Sequence, residues 1–98
     1  MFKDNVDEIE LIIRYSRLVE KFFQKHLDIE NQFFKNLEAF YVEKERNVDI
    51  KRLKGTIIPQ YRMRIGSYRI IFNVTKESIK VYSIYAEKAG SRGEIYKN

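Results

Sequence analysis

The stretch Tyr61-Arg62-Met63-Arg64-Ile65-Gly66-Ser67-Tyr68-Arg69-Ile70-Ile71-Phe72 decides how this chain folds. Two runs of alternating residues flank Gly66-Ser67, a Gly-X pair typical of a two-residue turn with type II′ geometry. The stretch therefore predicts a tight β-hairpin in which Arg64 faces Arg69. Because side chains alternate between the faces of a sheet, one face is apolar and the other is basic. The apolar face carries Tyr61, Met63, Ile65, Tyr68, Ile70 and Phe72, and the basic face carries Arg62, Arg64 and Arg69.

The basic face of the hairpin suggests an anion-binding site. Like charges opposite one another on neighbouring strands are unfavourable by about 0.2–1 kcal/mol. Guanidinium groups recognise phosphate through paired hydrogen bonds, so a phosphate is the first ligand to expect there. The alternative is a solvated strand face on which the arginines only keep the sheet soluble.

Length and composition favour a single packed domain over residues 1–98. The 98 residues include seven Tyr and seven Phe, enough aromatic side chains for one hydrophobic core. The chain has no cysteine, which excludes disulfides and thiolate metal sites, and its one histidine excludes chemistry that needs a histidine pair. No 18-residue apolar run and no secretion signal is present, so we expect a soluble, cytoplasmic protein without membrane contact. We also expect no metal and no small-molecule cofactor.

Positive charge is concentrated in the second half of the chain. Residues 1–50 contain 8 Lys or Arg and 11 Asp or Glu, whereas residues 51–98 contain 11 and 3. This asymmetry predicts a surface built for a polyanion, with nucleic acid favoured over a basic surface of no binding role. Lys51, Arg52 and Lys54 add positive charge beside the hairpin, although a solvated loop explains them equally well.

The N-terminal half predicts one strand and two helices. Residues 9–15 alternate at period two and favour a strand, with a helix from about Asp4 as the competing interpretation. Ser16 is a candidate N-cap for a helix to about Leu27, and Asp28 for a second helix to about Glu43. Both helices have Phe-rich stripes at helical spacing that predict core packing. His26 is expected inside the first helix as a packed or half-exposed side chain.

The C-terminal half predicts three strands. Residues 44–60 are expected to connect the helices to the hairpin, whose second strand continues to Thr75. Residues 76–78 then turn the chain into a strand over 79–85, and residues 89–93 break it before a short tail. The fold class is α+β with the order β-α-α-β-β-β, in which two N-terminal helices pack on one face of a small, mainly antiparallel sheet.

Three segments in this order resemble the RelE/ParE toxin superfamily of type II toxin-antitoxin systems. They are Asp49-Ile50-Lys51-Arg52-Leu53-Lys54-Gly55, the hairpin stretch 61–72, and Arg92-Gly93-Glu94-Ile95-Tyr96-Lys97. The resemblance covers about half of the chain and implies the RelE/ParE-like fold. It also implies a ribosome-dependent mRNA endoribonuclease that is neutralised by a cognate antitoxin protein. ParE-like members share the fold but poison DNA gyrase.

The resemblance also implies a set of site residues. Arg62 and Arg64 match a basic pair that binds RNA phosphates, Arg69 matches the arginine at the scissile phosphate, and Tyr96 matches a proposed general base. Arg92 matches a preceding arginine that would assist the leaving group. A further catalytic arginine of the family's best-known nuclease falls on Gly90 here, which leaves the general acid open. The remaining phosphate-binding candidates are Lys51, Arg52, Lys54 and Lys97.

Such a site is chemically reasonable without a metal. Attack of a 2′-hydroxyl on the adjacent phosphate needs a proton acceptor and stabilisation of the developing charge. Arginine stabilises charge but is a poor proton acceptor, whereas a tyrosine near guanidinium groups has a lowered pKa. Together with what the resemblance implies, this makes an mRNA interferase toxin that acts on mRNA on the ribosome the leading hypothesis. The alternatives are a gyrase poison of the same fold and a catalytically idle RNA-binding module.

Overall fold

The computed structural model of the protein describes residues 8–95, which form an α+β fold with one open, mixed sheet of five strands. The elements in chain order are β1 (Glu10–Tyr15), α1 (Arg17–Lys25), α2 (Leu27–Leu37), a π-helix (Glu38–Val42), β2 (Ile50–Arg52), β3 (Gln60–Ile65), β4 (Tyr68–Ser78), β5 (Val81–Ser91) and α3 (Arg92–Ile95). The strand order is β1-β5-β4-β3-β2, in which β1 pairs with β5 in parallel and the other pairs are antiparallel.

The predicted hairpin is present with the predicted register. Arg64 pairs with Arg69 and Ile65 pairs with Tyr68, so the turn contains only Gly66 and Ser67. Gly66 has φ +59°, the left-handed value that the first position of a type II′ turn requires. The register follows from this two-residue turn.

The apolar face of the hairpin lies in the core, against the helices. Val19 and Phe23 of α1 are buried, as are Phe33 and Leu37 of α2, each pair one helical turn apart. Ring contacts connect the layers, with Phe33 edge-on to Phe72 at 6.0 Å between centroids. The strand residues of this core are Met63, Ile70, Phe72, Ile84 and Ala86. We call the side of the sheet away from the helices the outer face.

Helix boundaries differ from the sequence prediction at one cap. Ser16 is the N-cap of α1 as predicted, and its Oγ accepts a hydrogen bond from the backbone N–H of Val19 at 3.2 Å. The prediction that Asp28 is the N-cap of the second helix is wrong, because α2 begins at Leu27. His26 is both the C-cap of α1 and the N-cap of α2. His26 is therefore not inside α1. Its ring lies against Phe22 at 4.3 Å, and this aromatic contact holds the junction without a side-chain cap.

The C-terminal half contains four strands rather than three. The additional strand, β2, lies in the predicted connection and is only three residues long, too short for an alternating pattern to reveal it. The predicted turn at 76–78 was wrong, because β4 continues to Ser78 and the chain reverses at Ile79-Lys80, where Ser78 Oγ accepts from the N–H of Lys80 at 3.3 Å. The predicted break at 89–93 was also wrong, since Ala89, Gly90 and Ser91 remain paired in β5.

A β-bulge in β5 alters the direction of the side chains at the centre of the sheet. Ile71 pairs with Lys88 and Phe72 pairs with Ala86, so Glu87 is an additional residue between them. Ser16 stabilises this bulge, because its N–H donates to the Ala86 carbonyl at 2.8 Å and its Oγ donates to the Glu87 carbonyl at 2.9 Å. The bulge keeps Ala86 in the core while Glu87 reaches Gln60 and Asn73 on the outer face.

Between residues 8 and 95, the helices are too short or too polar to cross a membrane.

The turn residue Gly66 provides a test of the hairpin. A Cβ at this position meets no atom within 4 Å, so Gly66→Ala introduces backbone strain alone. We expect a loss of about 1–2 kcal/mol in the free energy of unfolding, measured by urea denaturation, because an L-residue disfavours this φ. Gly93→Ala is the matched control, since that position is equally open and has no left-handed φ. Equal stability losses in both variants would contradict the assignment of strain to the turn.

Candidate phosphate-binding site

The hairpin brings the three predicted arginines together on the outer face. Arg64 and Arg69 are cross-strand partners, and Arg62 is the partner of Ile71 two residues further along β4. All three therefore lie on neighbouring positions of β3 and β4. We call Arg62, Arg64 and Arg69 the arginine cluster.

The arginine cluster is more buried than a solvated strand face. Arg62 and Arg69 are only 9% and 8% exposed, and Ile71 between them is 4% exposed. Ile71 belongs to the outer face, opposite Arg62 and two residues after Arg69, so the aliphatic parts of both arginines flank it. Two of the three arginines are therefore largely buried. Arg64 is the accessible member, with 49% of its side chain exposed.

Asp49 is the carboxylate partner of the cluster. Its Oδ1 accepts a hydrogen bond from Arg62 Nη2 at 3.1 Å, and its Oδ2 accepts one from Arg64 Nε at 2.6 Å. Partial burial acts to raise the pKa of Asp49, but the hydrogen bond from Arg64 and the charges of Arg62, Arg64 and Lys51 together lower it. Asp49 thus orients both guanidinium groups. Sequence reasoning gave this residue no role, because nothing in its spacing shows that it reaches β3.

Arg69 has no carboxylate partner among residues 8–95. Within those residues, the hydrogen bond that its guanidinium makes is a long contact from Nη1 to the Tyr68 carbonyl, at 3.4 Å. The residue opposite Arg69 on β5 is Gly90, and the Glu94 side chain lies where a Cβ of Gly90 would be, with its Oε1 2.8 Å from that position. Arg69 is therefore a largely buried arginine that forms no ion pair within residues 8–95.

The other predicted cations that the structure describes do not all lie on the outer face. Lys51 is the cross-strand partner of Arg62 and shares the outer face, whereas Arg52 pairs with Tyr61 and belongs to the helix side. Lys54 is exposed in the loop after β2, and Arg92 is exposed at the start of α3. Of the predicted cations, Lys51 therefore lies directly beside the cluster. Tyr96 and Lys97 lie outside the described residues.

A capping box holds the chain where it leaves β5. The N–H of Ser91 donates to Glu94 Oε1 at 2.8 Å, and the N–H of Glu94 donates to Ser91 Oγ at 3.4 Å. The S-x-x-E spacing of Ser91 and Glu94 is a signal that sequence reasoning missed. A Cβ on Gly90 would lie 2.8 Å from Glu94 Oε1 and 3.3 Å from Glu94 Cβ. A side chain at position 90 would therefore have to displace the Glu94 carboxylate from this capping box.

The tyrosines divide between the two faces of the sheet. Tyr61 stacks on Phe72 at 5.8 Å and Tyr68 contacts Phe22 at 5.3 Å, so both pack on the helix side as their register predicts. The sequence left Tyr82 and Tyr85 undecided. Tyr82 lies against Tyr41 on the helix side, and Tyr85, which is 41% exposed, lies on the outer face.

No group of three or more His, Asp or Glu side chains within residues 8–95 is arranged to hold a metal ion. Comparisons with known protein families, with curated proteins and with solved structures find no match to this chain.

The role of Asp49 predicts a pH-dependent contribution to stability. Asp49→Asn is expected to lower the free energy of unfolding by about 1–3 kcal/mol at pH 7, since it removes charged hydrogen bonds to two arginines. The folded pKa of Asp49 is lowered, so its contribution is present above the unfolded value of 3.8 and is lost as pH falls through the lower folded value. Urea denaturation from neutral to acidic pH should show that the free energies of unfolding of the two proteins converge below the folded pKa of Asp49. Glu45→Gln removes an exposed carboxylate as the control, and a pH-independent gap for Asp49→Asn would contradict this account.

The contact of Gly90 with the capping box predicts a coupling between two positions. Gly90→Ala should displace the Glu94 side chain and cost about 0.5–2 kcal/mol, the usual range for a lost helix cap. In a Glu94→Ala background the same substitution should cost less, since the displaced carboxylate is absent. Thermal denaturation of the two single variants and the double variant measures this difference. Additive effects would mean that the close approach has no energetic consequence.

Proposed function

We propose that this protein is a toxin of the RelE/ParE type that binds mRNA phosphates on the ribosome and cleaves the message. The observation that carries the proposal is Arg69, which is only 8% exposed and forms no ion pair with a carboxylate in residues 8–95. A buried, unpaired cation is costly unless an anion is bound. Arg62 and Arg64 extend the positive surface around it, and a phosphodiester is the anion that a row of guanidinium groups suits.

The proposed reaction is attack of the 2′-hydroxyl on the adjacent phosphorus, which breaks the bond to the 5′-oxygen of the next nucleotide. Arg69 would bind the scissile phosphate and stabilise the charge that develops on it. Asp49 is a poor proton acceptor, because both of its oxygens accept hydrogen bonds from arginines and its pKa is lowered. On the resemblance to the RelE/ParE superfamily, Tyr96 would instead accept the 2′-hydroxyl proton. Arg92, which begins α3 directly after the strand that pairs with Arg69, would assist the departing 5′-oxygen.

The proposed partners are mRNA on the ribosome and a cognate antitoxin in the cytoplasm. An acidic antitoxin segment that covers the arginine cluster would compete with RNA for the same guanidinium groups. The reaction needs no metal and no small-molecule cofactor in this scheme.

A gyrase poison of the ParE type is the second candidate, and one observation favours it. The position where the resembled nuclease has a catalytic arginine is Gly90 here, and the Glu94 side chain packs against it. A toxin that traps another enzyme has no need of that group.

Induction of the protein in bacterial cells separates the two functions. If the protein is a nuclease, growth stops while cleaved mRNA ends accumulate, and Arg69→Lys and Tyr96→Phe each restore growth, the first because lysine lacks the planar fork. Arg17→Ala, which removes an exposed arginine from α1 on the helix side, should leave the arrest intact. Full toxicity of both folded site variants would contradict the site. DNA damage with intact transcripts would favour the gyrase poison.

A further inference from the structure

A depression lies on the outer face, further along the strands from the arginine cluster. Its volume is about 160 Å³, well below that of a typical drug-sized site. The strand register places its side chains in two rows, one with Arg14, Tyr85 and Asn73, and the next with Ile12, Ser83 and Thr75. A cavity of this size suits one small planar group.

Tyr85 is the aromatic surface of this depression. It is 41% exposed and makes no ring contact with another aromatic residue among residues 8–95, in contrast to the packed Tyr82. Ile12, 37% exposed on the adjacent edge strand, adds an apolar side. Exposed aromatic residues on a sheet face are the usual stacking surfaces for unpaired bases.

Asn73 gives the depression an oriented hydrogen-bond acceptor. Its Nδ2 donates to Glu87 Oε2 at 3.2 Å, while Glu87 Oε1 accepts from Gln60 Nε2 at 2.6 Å. Because an ionised carboxylate only accepts, this network directs the amide nitrogen of Asn73 to Glu87 and leaves its Oδ1 facing elsewhere. Asn73 Oδ1 accepts no hydrogen bond within residues 8–95, so an N–H of a ligand would be a suitable donor to it.

Charge on this face complements a polyanion. Arg14 is exposed beside Tyr85 and forms no ion pair within residues 8–95. The two carboxylates nearest the centre of the face are already engaged, Asp49 by arginines and Glu87 by the amides of Gln60 and Asn73. A negatively charged chain that crosses the face therefore meets Arg14 and Arg69, which form no ion pair within residues 8–95.

We propose that this depression is a nucleotide subsite for single-stranded RNA. One base stacks on Tyr85 and donates an N–H to Asn73 Oδ1, and Arg14 binds a neighbouring phosphate. Asn73 lies four residues along β4 from Arg69, which is about 13 Å at the rise of a strand, so a few nucleotides span both sites. The subsite rests on the proposed RNA binding and extends the RNA path across the sheet.

The test uses the purified full chain with two fluorescent probes at low salt, a short single-stranded RNA and the same backbone without bases. Tyr85→Ala should weaken binding of the intact RNA by roughly 5- to 100-fold, the usual effect of losing one stacked base, and should leave the abasic probe unaffected. Tyr85→Phe should bind both probes as the unmodified protein does. Arg14→Ala should weaken both probes, because it removes a phosphate contact.

Phe34→Ala is the matched control, since Phe34 has similar exposure (38%) but lies on α2, away from the outer face. It should leave both affinities unchanged, with circular dichroism confirming that each variant is folded. If Tyr85→Ala binds intact RNA as tightly as the unmodified protein while Arg64→Ala binds weakly, RNA binding stands and the subsite is wrong. If the unmodified protein binds neither probe, the RNA-binding function itself fails, together with the subsite.

Discussion

The two-residue turn at Gly66-Ser67 is the constraint on which the rest of the structure depends. It fixes the pairing of β3 with β4, and a slip of one residue would move every side chain of a strand to the opposite face. In the observed register Met63, Ile70 and Phe72 enter the core. The same register places Arg64 opposite Arg69. The hydrophobic core and the basic surface are thus consequences of one pairing.

Electrostatic repulsion within the arginine cluster is relieved unevenly. Asp49 binds Arg62 and Arg64 but not Arg69, so within residues 8–95 one member of the like-charged cross-strand pair has a carboxylate partner and the other has none. Arg69 is also one of the two most buried members of the cluster. This combination differs from a set of solvated arginines, and it is the reason why the proposed chemistry centres on Arg69.

The β-bulge at Glu87 connects the helices to the outer face. Ser16, the cap of α1, donates to the Glu87 carbonyl, while the Glu87 carboxylate accepts from Gln60 and Asn73 on the other side of the sheet. The packing of α1 thereby helps to orient polar groups that it does not contact. The outer face is consequently a surface of fixed groups, with the arginine cluster and the Tyr85 depression separated along the same strands.

The amino-acid sequence by itself determined the hairpin, its register, the apolar and basic faces, the first strand and the Ser16 cap, because each depends on neighbours in the chain. It did not reveal β2, whose three residues are held by pairing with β3, or the continuation of β5 through Gly90. Only the tertiary structure decided that Asp49 binds the arginines, that Tyr85 faces outward and that Glu94 packs against Gly90. The first two depend on strand order and a bulge, which bring together residues distant in sequence. The last depends on the close fit of a capping box, whose S-x-x-E spacing is readable but whose contact with Gly90 is not.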